Sequence, residues 1–241
     1  MRTDQSNPIN EPATTEVGRV RVWDLPTRVF HWFLAASFVG AYLTGESESY
    51  RALHLTFGYT LAALIAFRVL WGLVGTRYAR FRSFIFGPSE TIAYIKSLAT
   101  SSPRHYLGHN PAGAIAIFVM LLLGVITAAS GYLHYRELGG RGLEELHEGA
   151  ANFMLLLVAV HLAGVVVSSF LHRENLAAAM VTGAKRGDVA AGVTKSRRLV
   201  AGLVLGAVLG YWTLDPAIWA PANGSVAEHR LVKDRHHDND D

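Results

Sequence analysis

Residues 146–164, LHEGAANFMLLLVAVHLAG, decide how the rest of the chain is read. After Glu148 the stretch carries no charge, and its apolar character runs on to Leu171. That is long enough to cross the hydrocarbon core of a bilayer, which takes about 20 helical residues. On a helix, the fourteen positions between His147 and His161 leave about 40° between them around the axis and about 21 Å along it. One face of one span thus presents an ionisable ring near each end. Such side chains are costly inside a membrane and mark function by default.

Four other runs share this apolar character, at 29–45, 53–75, 112–133 and 199–214. The second to fourth of the five runs are long enough alone. The first and last need Trp32, Trp212 and Trp219 to carry them into the interfaces. Of the 241 residues, 51% are hydrophobic and only 17% charged, against about 25% charged in an ordinary soluble domain. Five apolar runs with polar connections predict a polytopic all-α membrane protein, not one large soluble core. The first nineteen residues are polar and partly acidic, so the first apolar run reads as an uncleaved span. A short amphipathic helix is expected after Pro88, lying along one membrane surface.

Basic residues orient the chain. Fifteen of them fall in residues 1–28, 76–110 and 172–198, which share one side, and six on the other. The positive-inside rule then puts the N-terminus in the cytoplasm and the C-terminal tail, with HHDNDD, outside. The net charge of +3 is thereby a topology signal, and no nucleic-acid partner is expected.

With no cysteine in the chain, iron–sulfur clusters and covalent haem attachment are excluded, and any redox group must be held by histidine or by packing. Four of the eleven histidines lie in or at the ends of spans. His147 opens the fourth span at the outer side and His54 opens the second at the same level. His31 opens the first span from the cytoplasm, and His161 lies at that inner depth. The four sort into an inner pair, His31 with His161, and an outer pair, His54 with His147. Two imidazoles at one depth on neighbouring helices can supply both axial ligands of a haem iron. A metal site would want three or four ligands at one depth.

The other histidines fit less well. His172 reads as a solvated helix end, and His134 as a helix end facing a pocket or water. His105, His109, His229, His236 and His237 lie in the inner connection or the tail and are not expected as ligands. Arg68, fourteen residues after His54 on its face, either pairs with a propionate of an inner haem or snorkels to the interface. Gly58, one turn after His54, would admit a flat macrocycle. Gly164 offers the same beside His161, although glycines also serve plain helix contacts.

The chain resembles the prokaryotic cytochrome b561 family, which includes the cytochrome b subunits of membrane-bound nickel–iron hydrogenases and, more distantly, of formate dehydrogenase. The likeness covers about residues 19–187. It rests on RVWDLPTRVFHW, LHLTFGY, FRVLWGLVGTRYARF, YLGHNPAG, LHEGAANFMLLLVAVHLAG and HRENLAAAMVTGAKR. It implies a four-helix haem bundle with two haems b on His31, His54, His147 and His161, paired as depth had paired them. It also implies electron passage between a periplasmic redox partner and membrane quinone. By resemblance the quinone site falls near the inner haem, at Arg28 and His109. The fifth run and the charged outer tail depart from the hydrogenase subunits, which leaves a periplasmic cytochrome c as open a partner as a hydrogenase.

The expected organisation is a cytoplasmic N-terminal tail over 1–28, a di-haem cytochrome b domain over 29–187, and a fifth transmembrane helix with a periplasmic tail over 188–241. The expected role is that of an electron-transfer subunit of a quinone-linked oxidoreductase in the bacterial inner membrane, not a self-sufficient enzyme. The competing reading is a transporter or passive membrane anchor whose histidines relay protons or pack helices.

Overall fold

The structure is a computed structural model that describes residues 16–215 apart from residue 101. Trp219, His229, His236, His237 and the HHDNDD tail lie outside the described residues. The order is β1 (Val17–Arg21), α1 (Leu25–Thr44), α2 (Arg51–Val74), α3 (Pro88–Ser97), α4 (Pro111–Tyr135), α5 (Gly140–Leu171), α6 (Leu176–Thr182), β2 (Ala184–Asp188) and α7 (Arg198–Leu214).

Helix starts follow local chemistry. Asp24 caps α1 by accepting from the Thr27 N–H, and Asn110 caps α4 through the Gly113 N–H. Each cap precedes a proline in the first turn, where the missing N–H costs nothing. The amphipathic segment after Gly87 is helical from Pro88, as its pattern predicts.

The segment from Glu48 to Val74, α4 and α5 are each long and apolar enough to cross a membrane. Helix α1 has 20 residues and α7 has 17. Helices α1, α2 and α7 pack together through Phe30, Leu64 and Val208, with Phe33, Phe67 and Trp212 beside them. Helix α4 packs on α5 and, less extensively, on α2. Helix α5 meets α1 and α2 at few points, and its apolar stretch is almost entirely unburied. The bundle is therefore two packed groups of helices with space between α5 and the α1–α2 pair.

Residues 17–28, read from sequence as tail, are ordered structure. Val17–Arg21 pairs antiparallel with Ala184–Asp188, Val17 opposite Asp188 and Arg21 opposite Ala184. The Val–Arg alternation there carries a period of two: Val20 and Val22 are buried while Arg19 and Arg21 are exposed. Trp23, Tyr78 and Ala179 complete the small core under this sheet. A strand that leads into the first helix and another that follows the long α5 thus close one end of the bundle.

Candidate functional site

The outer pair meets directly. His54 on α2 and His147 on α5 have ring centroids 5.9 Å apart with planes at 78°. Each ring is held from behind: His54 Nδ1–H donates to the Ala41 carbonyl at 2.9 Å, and His147 Nδ1–H to the Thr127 carbonyl at 2.9 Å. That tautomer leaves Nε2 of both rings unprotonated and free to bind a metal, the usual way a backbone carbonyl orients a ligand histidine. Metal–imidazole bonds of about 2 Å on each side put two axial rings roughly 6 Å centre to centre. The observed spacing fits an iron held between them. Gly131 makes room, because a Cβ there would sit 2.6 Å from the His147 ring.

The inner pair lies toward the sheet end. His31 on α1 has His161 of α5 within electrostatic reach. The His31 ring stands edge-on to Trp32 at 5.4 Å, and its Nδ1 is buried with no hydrogen-bond partner among the described residues. A buried ring nitrogen left without a partner fits a site completed by a bound group. A Cβ at Gly58 would meet nothing within 4 Å, so the helix surface one turn from His54 is open. Among the described residues no cluster of three or more His, Cys, Asp or Glu could hold a bare metal ion. Paired imidazoles beside open space suit haem and do not suit zinc.

Arg68 does not snorkel. It is 4% exposed, donates to the Ala79 carbonyl at 3.1 Å, and sits 4.7 Å over the Phe81 ring, with Phe30 and Phe84 at 5.8 Å. Its electrostatic partner is Asp24. Sequence reasoning passed over Asp24. It is 1% exposed, and its second oxygen accepts from Trp71 Nε1–H at 3.0 Å and the Thr76 hydroxyl at 2.7 Å. Its position just before a proline-started helix signals the cap, but nothing local signals Arg68, 44 positions away.

Arg28 donates to the Val181 carbonyl, while its Nε is buried without a partner among the described residues. His109 lies between Trp23, at 4.6 Å, and Phe84, at 4.4 Å, its Nδ1 likewise buried without a partner among the described residues. Burial, reinforced by Arg68, Lys185 and His161, holds its pKa down to about 3, so the ring is neutral at pH 7. Arg28 and His109 thus sit at the same end as the inner pair. His172 reaches beyond a simple helix end: its ring lies 5.3 Å from His105, which is 3.6 Å from the Glu174 carboxylate. Lys185, 6% exposed, is 4.0 Å from that carboxylate and donates to the Tyr106 carbonyl at 3.0 Å.

The chain is similar to known b-type cytochromes. The family described as prokaryotic cytochrome b561 matches residues 22–183. Among curated relatives, a probable Ni/Fe-hydrogenase B-type cytochrome subunit of Azotobacter vinelandii is 28% identical over 211 residues, covering 68% of this chain and 87% of the relative. Its counterpart in Rhodobacter capsulatus is 22% identical over 210 residues, with 68% and 80% covered. The Escherichia coli K12 Ni/Fe-hydrogenase 1 subunit is 26% identical over 142 residues, with 48% and 60% covered. No solved structure matches.

Proposed function

The chain belongs to the prokaryotic cytochrome b561 family, and from that premise we propose that it carries electrons between a periplasmic redox protein and membrane quinone through two b-type haems. It is a multi-pass membrane protein of a b-type cytochrome family, so membrane electron transfer is its general role. The observation that supports the finer reading most is the outer histidine pair, faced 5.9 Å apart with both Nδ1 atoms anchored on carbonyls. On this reading His54 and His147 would hold the iron of the outer haem, and His31 and His161 that of the inner one. Bound haem supplies one-electron chemistry at its iron. Arg68 offers a cation to an inner-haem propionate, with Asp24 holding that cation in place. Gly58 leaves room for a macrocycle.

The relatives named as Ni/Fe-hydrogenase subunits favour a hydrogenase as the periplasmic partner, with a c-type cytochrome as the other candidate. The quinone head belongs beside the inner haem, near Arg28 and His109. Residues 29–187 then form the haem-carrying unit, with a cytoplasmic approach before it and a fifth crossing and outer tail after it, in the bacterial inner membrane.

The purified full-length chain tests this. A reduced-minus-oxidised spectrum of b type is expected, with two haems per chain. His54→Ala or His147→Ala is expected to remove only the outer haem, and His31→Ala or His161→Ala only the inner. A colourless protein with all four histidines intact would mean that they pack helices or relay protons instead. Loss of the same haem in all four variants would refute the pairing.

A further inference from the structure

At the sheet end a cavity of about 450 Å³ opens to the surface. Its rim carries Arg77, His105 and Asp188, its walls include Tyr78 and Tyr106, and it reaches His109. By the distribution of lysine and arginine this is the cytoplasmic side. The walls are fixed: Tyr78 donates to the Ala191 carbonyl at 2.9 Å and Tyr106 to Glu90 at 3.0 Å. His109 lines this cavity, and the Trp23 and Phe84 rings against it hold its plane. Its buried Nδ1 has no partner among the described residues.

We propose that this cavity is a cytoplasmic proton path to the quinone site, with His109 passing protons between cavity water and the quinone head. The inference rests on the reading that quinone exchanges electrons beside the inner pair. Reducing a quinone to a quinol takes two electrons, delivered singly from the inner haem iron, and two protons, one on each carbonyl oxygen. Those protons must come from water, and a membrane-embedded site needs a route to it. An imidazole can take a proton on one nitrogen as it gives one from the other, so no lasting charge builds up. That matters here, because the charged or titratable groups facing His109 are Arg68 from α2, Lys185 from β2 and His161 from α5. A resting imidazolium among them would be repelled. When quinol is oxidised the same path runs outward.

The test uses the full-length haem-loaded chain in lipid nanodiscs, with a short-chain quinol as the probe and dithionite as a quinone-independent reductant. His109→Gln keeps a polar side chain but cannot relay. Both haems and the dithionite-reduced spectrum are expected to be retained. The rate of haem reduction by quinol is expected to fall by about a hundredfold or more, the usual range for a lost proton-transfer group. Imidazole added to His109→Ala should restore part of that rate through the cavity. If His109→Gln does not fold, the rim double variant His105→Gln/Asp188→Asn should slow the quinol reaction and spare the dithionite one. An unchanged quinol rate in either variant overturns the path. So does loss of the inner haem in His109→Gln, which would make His109 a haem-holding residue. Failure of the wild type to react with quinol while dithionite reduces it overturns the quinone reading, and the path with it.

Discussion

Asp24 shows how much one side chain does at the inner end. Its carboxylate caps α1, accepts from Trp71 and Thr76, and lies near Arg68. Removing it takes away a helix cap worth about 1 kcal/mol. It also strands the buried Trp71 N–H, at about 1–3 kcal/mol. Asp24→Ala is therefore expected to destabilise the chain by about 2–4 kcal/mol, read as loss of the haem absorbance band on thermal or denaturant unfolding in detergent. Asp24→Asn should cost less, because its amide oxygen can still cap. His109 predicts a pH effect. Its folded pKa of about 3 lies below the unfolded value of about 6.5. The unfolded chain therefore binds more protons as pH falls through 6.5, and the contribution of His109 to stability is full above 6.5 and lost toward 3. Between pH 7 and pH 5 the melting temperature of wild type should fall further than that of His109→Gln. Equal falls would show that the ring is not buried neutral. At the outer end, Gly131→Ala would press a methyl group into the His147 ring. Outer-haem content should drop while the inner haem stays.

Among the elements, the β1–β2 pair has most to explain, because an N-terminal strand finds its partner more than 160 positions later. The junction turns on Gly183, at φ +81°, whose carbonyl accepts from both Val22 and Trp23 N–H, at 2.8 and 3.1 Å. A Cβ there would lie 2.7 Å from the Trp23 carbonyl oxygen. Gly183→Ala combines a left-handed backbone penalty of about 1–2 kcal/mol with that clash. It should open the sheet end, seen as faster amide exchange at Val20 and Val22. Exchange as slow as in wild type would show that the sheet closes without this turn. Helix α7 fastens in another way: Trp212 donates to Thr60 at 3.0 Å and packs edge-on against Phe33 and Phe57. Its length of 17 residues is short for a span, and these contacts tie it to α1 and α2.

At the scale of the whole molecule, α2 joins the two helix groups by packing on α4, while α5 meets α1 and α2 at few points, His54 facing His147 among them. A group bound there would add to what holds α5 in place. A ligand bound only by the folded state adds stability by mass action, about 2.7 kcal/mol at a hundredfold excess over Kd. Protein expressed under haem starvation should therefore melt lower than loaded protein and be cleaved sooner between α4 and α5 or at the ends of α5. Equal stability of the two preparations would mean that the helices pack fully without the group.

The apolar helices and the helix after Pro88 were legible in the sequence. Helical periodicity and hydropathy are local and survive without coordinates. His147 and His161 could be placed on one face because both sit on one rigid helix. Tertiary structure alone decided which groups complete the inner end. Asp24 with Arg68, His109 between Trp23 and Phe84, and β1 against β2 are contacts between segments far apart in the chain. No periodicity encodes them; they depend on how the connections fold back over the helix ends. Arg68 is the plainest case. Its sequence position allowed either a propionate partner or a snorkelling cation, and only the enclosing aromatic rings and the Asp24 carboxylate show that it does not snorkel.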